Sequence, residues 1–210
     1  SEELKAANIM ALEPFFWEKD EKYPRIAFFM IEQLLESWSG PRLRQLHRYE
    51  IFSLVQDDNF PKTNLSSGLS DARKFRHEKP LYITAIHSLV IELLNKRVRD
   101  KISCLKKKWK SLRLCFMTLP SHQFNNIDLS DLYISGTDFS KSVFNKTNMK
   151  DTTFFLCEFI SCGIAECTFD KSKWNLCNFR SSGFIVLPSA VNRLVEYNKI
   201  KGQITRSDLT

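Results

Sequence analysis

From Phe124 onward every fifth residue is large and apolar: Phe124, Leu129, Ile134, Phe139, Phe144, Met149, Phe154, Phe159, Ile164, Phe169, Trp174, Phe179 and Phe184, thirteen positions without a change of phase. Two residues before most of them stands a small residue, Thr137, Ser142, Thr147, Thr152, Cys157, Cys162, Cys167, Ser172, Cys177 and Ser182, with His122, Ile127 and Leu132 as larger exceptions at the start. The unit is therefore small, any, large apolar, any, any. A period of five fits neither a helical stripe at about 3.6 nor a strand at about 2. A single amphipathic element is excluded, and a coiled backbone built from a repeated unit is required.

The segments Ile127-Asp128-Leu129, Thr137-Asp138-Phe139, Thr147-Asn148-Met149 and Cys177-Asn178-Phe179 carry a resemblance to the pentapeptide-repeat family, whose unit is often written A(D/N)LXX. The resemblance covers residues 122–184 and implies a right-handed quadrilateral β-helix of about three coils, four units to a turn. Residues twenty apart would then stack at about 4.8 Å. One face would hold Phe139, Phe159 and Phe179, and another Phe154 and Trp174 above Ile134. Trp174 is larger than the usual occupant and its N–H needs a partner when buried, so a local distortion is expected there.

The preceding residues read as helices. Ser1 before Glu2 and Glu3 is an N-cap signal for a helix to about Leu12, closed by Pro14. A second helix is expected from Pro24 to Trp38, stopped by Ser39-Gly40-Pro41, and a third from Pro41 to about Asp58. Asn59 to His77 is polar, with Pro61 and Gly68, and reads as a loop. From Pro80 a long helix is expected, its stripe Leu94, Val98, Ile102, Leu105, Trp109, Leu112 and Phe116 leading into the repeat and capping its first coil. Val191, Leu194, Val195 and Tyr197 predict a short helix capping the other end. The expected class is α+β: an α-helical domain over 1–120, the β-helix over 121–186, and a capping helix with a tail over 187–210.

Charge separates the two parts. Residues 121–184 hold seven acids and six bases, whereas residues 1–120 hold fifteen acids and twenty-one bases. Nine of those bases fall between Lys96 and Arg113, and Lys106, Lys107, Lys108, Lys110 and Arg113 are the candidate contacts for an anionic membrane surface, a nucleic-acid backbone or an acidic partner. The competing reading is the solvated face of a long helix. Four cysteines occupy the small slot and read as buried free thiols, since their spacing puts three of them on successive faces and no CxxC pair exists.

No glycine-rich phosphate loop, HExxH or nucleophile elbow occurs, so neither an enzyme nor a bound cofactor is expected. The resemblance implies an interaction or scaffold module, bacterial and cytoplasmic or secreted into a host cell as an effector, with a protein partner. Two alternatives stay open: a gyrase- or topoisomerase-directed DNA mimic, and a regulatory segment of a larger membrane-associated protein. The near-neutral repeat argues against the first.

Overall fold

A computed structural model describes residues 1–54, 62–96, 105 and 108–185. Within them α1 (Glu2–Met10), α2 (Lys22–Leu54), α3 (Lys62–His77) and α4 (Leu81–Asn95) precede the strands β1 (Arg113–Cys115), β2 (Gln123–Asn125), β3 (Tyr133–Ser135), β4 (Val143–Asn145), β5 (Thr153–Phe155), β6 (Gly163–Ala165), β7 (Lys173–Asn175) and β8 (Gly183–Ile185). The chain is a helical domain followed by a parallel β-solenoid, an α+β architecture.

Each strand pairs in parallel with the one twenty residues on, as in Leu114 beside Ile134 and Phe124 beside Phe144. Two four-stranded sheets result, β1-β3-β5-β7 and β2-β4-β6-β8. Between them run single bridges, Thr118 to Asp138 to Glu158 to Asn178, and Asp128 to Asn148 to Thr168. Four ladders make four faces. In chain order the first is the β1 sheet, the second carries Glu158, the third is the β2 sheet and the fourth carries Asn148.

Three local rules build this coil. Every fifth residue from Phe116 to Ser181 has a positive φ, Phe116 at 59° and Leu156 at 52° among them, and each turns a corner. The carboxylate or amide oxygens of Asp128, Asp138, Asn148 and Asn178 accept the backbone N–H two residues on, at 2.9–3.2 Å, which closes the turn. The small inward residue donates to a carbonyl twenty-three residues back: Ser142 to Leu119, Thr147 to Phe124, Thr152 to Leu129 and Cys162 to Phe139, at 2.7–2.9 Å. That slot therefore selects a short donor as well as a small volume, and its cysteines do more than fill space.

Inside, rings stack rung on rung. Phe139 and Phe159 lie 4.9 Å apart, and Phe159 and Phe179 5.0 Å apart. Phe154 and Trp174 lie 4.2 Å apart. All five are buried. The distortion expected at Trp174 does not occur: β7 keeps its register with β5, because Ser172 two residues earlier accepts the indole N–H at 2.8 Å.

The helical part departs from expectation in three places. α2 runs through Ser39-Gly40-Pro41 without a break. An internal proline costs about 3 kcal/mol, but Leu35, Trp38, Leu43 and Leu46 are buried on both sides of it. Polar side chains also bond the carbonyls there, Ser39 to Leu35 and Arg42 to Trp38, both at 2.7 Å. Second, most of the expected 59–77 loop is α3, of which Leu69, Ala72 and Phe75 are buried. Third, the long helix from Pro80 ends as α4 at Asn95, and β1 is already the first rung. Leu112-x-Leu114 and Met117-x-Leu119 are two further units of the repeat, so the solenoid begins ahead of residue 121. What was expected to cap the first coil is the first coil. The predicted C-terminal helix lies outside the described residues.

Candidate interaction surface

The helical domain covers one side of the solenoid, and specific residues allow it. α2 lies against the first face, where the His47 imidazole meets the Tyr133 hydroxyl at 3.1 Å and its ring lies 5.8 Å from that of Phe155. α3 lies along the corner between the first and second faces. From Gly68 to Arg76 it advances about 12 Å, close to the roughly 10 Å of two coil spacings. It meets one corner residue per coil: Gly68 at Leu156, Ala72 at Gly136 and Phe75 at Phe116, whose rings are 5.3 Å apart. A methyl added to Gly68 would sit 2.9 Å from Leu156 Cδ2, and one on Gly136 2.6 Å from Phe116 Cδ1. Both glycines are there for close approach, and Gly136, at φ 59°, also takes a corner conformation.

An ion-pair clamp locks this contact. Where its neighbours on the same ladder are Asp138 and Asn178, which cap their own turns, this unit has Glu158, which pairs with α3 instead. Its carboxylate accepts from Arg73 Nε at 3.1 Å and pairs with Arg76, which also donates to Gly136 O at 2.8 Å. Glu158 and Arg76 side chains are 4% and 7% exposed. Burial pushes the Glu158 pKa up, but the bonds from Arg73 and Arg76 outweigh it and hold the carboxyl below its usual range. Next in line, Lys79 reaches Phe116 O at 3.3 Å, its pKa pulled down to about 8 by burial and by Arg76. Buried His87 has no partner on either ring nitrogen, and burial, with Lys79 near, depresses its pKa well below 6.5.

Of the five basic candidates, only Lys110 and Arg113 have described side chains. Lys106 and Lys107 lie outside the described residues, and Lys108 is placed only by its backbone, in the 3-10 turn Lys108–Ser111. Lys110 pairs with Asp131 at 2.9 Å, and the Arg113 guanidinium sits 5.9 Å from the Tyr133 ring centre. The two described ones engage the solenoid of their own chain.

The third and fourth faces are half-buried or exposed. The third presents Gln123, Asn125, Val143, Asn145, Gly163 and Ala165, none charged. The fourth carries a side-chain ladder in which Asn148 donates to Asp128 and Thr168 to Asn148, each at 2.9 Å. Both signs occur at the corners, with Lys146 and Glu166 3.7 Å apart. The sequence reading treated all four faces alike. Its missed signal was the outward apolar set Phe116, Phe155 and Leu156, which marks the covered side.

Fold and surface together define a helical domain clamped to a parallel β-solenoid. No protein-family model matches the chain, and no curated protein matches it. Among the described residues no helix is long and apolar enough to cross a membrane.

Proposed function

We propose that the chain is a non-enzymatic interaction module of the pentapeptide-repeat kind, a rigid solenoid that docks a protein partner on its third and fourth faces. The observation that carries this reading is the asymmetry of the outward residues. Phe116, Phe155 and Leu156 are spent on the helical domain, while the third face keeps small, uncharged and amide side chains in a regular array and the fourth adds the Asp128–Asn148–Thr168 ladder. Flat, regular faces suit a protein surface better than a small molecule. The mixed corner charges, Lys141, Lys146, Asp151, Glu166 and Lys171, favour a protein over a polyanion. Lys110 and Arg113 being engaged on their own solenoid favours a structural role for the basic segment.

Photo-cross-linking tests this directly, with the reactive residue placed at Asn145 or Thr168 and, as control, at Lys74 on the exposed side of α3. Protein adducts at the two face positions, absent at Lys74 and lost on Lys146→Glu with Lys150→Glu, are expected. A topoisomerase adduct with inhibited supercoiling would establish the DNA-mimic alternative instead. Recovery of lipid or nucleic acid alone, abolished by neutralising Lys106, Lys107 and Lys108, would make the solenoid a spacer.

A further inference from the structure

Among the described residues every large hydrophobic side chain that is exposed lies in the helical domain: Leu4, Met10, Phe15, Trp17, Tyr23, Ile26, Phe29, Met30 and Leu81. The described side chains of the solenoid contribute none. The core of the set is on α2. Ala27, Phe28, Ile31 and Leu35 point into the protein, and Tyr23, Ile26, Phe29 and Met30 form a second apolar stripe on the other side of the same helix, 44–57% exposed. Phe15 extends it, its ring 6.2 Å from Tyr23, and Trp17 follows two residues after Phe15. A helix apolar on both sides is one whose outer side is covered by something.

We propose that this stripe is covered by the same stripe of a second copy of the chain, as an antiparallel α2–α2 pair about a two-fold axis near Phe29. Two observations choose this occupant. The first is area. The six side chains from Phe15 to Met30 leave on the order of 600 Å² uncovered, most of the roughly 800 Å² that each partner buries in a stable interface, and the flanking polar residues supply the remainder. The second is charge. Lys22 and Arg25 lie on the N-terminal side of Phe29, Glu32 and Glu36 on the C-terminal side. Lys22 and Glu36 are each seven residues, about two turns, from Phe29. An isologous antiparallel pairing repeats every contact twice, so it sets Lys22 of each copy against Glu36 of the other. An anionic lipid surface finds no comparable match, because residues 18–25 hold three acids and three bases.

Sedimentation velocity over a concentration series tests the pairing. Wild type is expected to pass from one copy, 24.6 kDa, to twice that mass with a dissociation constant in the micromolar range. Phe29→Glu puts two carboxylates at the axis and should leave only the single copy. Lys22→Glu and Glu36→Lys should each weaken the pair roughly tenfold, and the double exchange should restore it. Phe29 is exposed, so its variant keeps the wild-type circular dichroism. A single copy at every concentration, or no restoration by the double exchange, overturns the proposal. So does a single copy that co-sediments with phosphatidylcholine–phosphatidylserine vesicles in a Phe29-dependent way, which would make lipid the occupant.

Discussion

Glu158→Gln keeps the shape of the side chain and removes its charge. The Arg76 guanidinium, 7% exposed, is then left buried without its counter-ion, while Arg73 is 52% exposed and turns to solvent. An exposed pair is worth at most about 1 kcal/mol. A buried charge stripped of its partner costs about 3 to 5 kcal/mol. Because Gln still accepts one bond from Arg76 and Gly136 O still accepts another, about 3 kcal/mol is expected. At a urea slope of roughly 2.5 kcal/mol per molar, the midpoint should fall by about 1.2 M. The double variant Glu158→Leu with Arg76→Met removes both charges and should lie within about 1.5 kcal/mol of wild type. The pH dependence has a fixed sign. With the folded carboxyl below 4.5, the contribution is full above that value and is lost as pH falls through the folded pKa. The Gln deficit should therefore be constant from pH 7 to about 5 and shrink below. A single-variant cost under about 1 kcal/mol, or a double variant worse than the single, would refute the clamp.

Three other outcomes are expected. Phe159→Ala, which empties the middle of the phenylalanine stack, should cost about 3 to 5 kcal/mol, and Lys146→Ala, at a corner, under about 0.5 kcal/mol, both read from urea melts. Gly136→Ala should cost about 2 kcal/mol or more through its positive φ and its contact with Phe116, with loss of near-ultraviolet dichroism before loss of sheet signal. In His87→Leu the acid side changes: the unfolded chain takes up a proton near pH 6.5 that buried His87 does not, so wild type loses stability as pH falls below that. Melts at pH 7.5 and 5 should show the advantage of the leucine variant growing at the lower pH.

The interior of the solenoid was legible because its period is unique. Five-residue spacing assigns each large residue to a face, and the stacks of Phe139, Phe159 and Phe179 lie where that arithmetic puts them. The helical domain was less legible for a physical reason: its boundaries are set by what it packs on. Pro41 reads as a stop only if the residues around it are uncommitted, and they are buried. Gly68 and the polar stretch around it read as a loop only if nothing lies beside them, and Leu156 does. The clamp had a trace in the sequence, one Glu where its neighbours have Asp or Asn. Its partners on α3 stand more than eighty residues away, and no pattern along the chain connects them.

The left-handed corners tie the two parts into one unit. A positive φ at a residue with a Cβ costs about 1 kcal/mol or more. Asn126, Asp131 and Asp151 are residue types that lessen this cost, and Phe116 and Leu156 are among those that increase it. Helices cover both of these corner residues, Phe116 between Trp38 and Phe75 and Leu156 against Gly68. Burying such a side chain contributes roughly 1.5 to 3 kcal/mol, more than the strain of its corner. A solenoid without α2 and α3 would keep the strain, lose the compensation and expose an apolar column along its edge. The helical domain is therefore a condition of this solenoid's sequence. By taking up the apolar outward residues on one side it leaves the third and fourth faces small, amide-rich and regular.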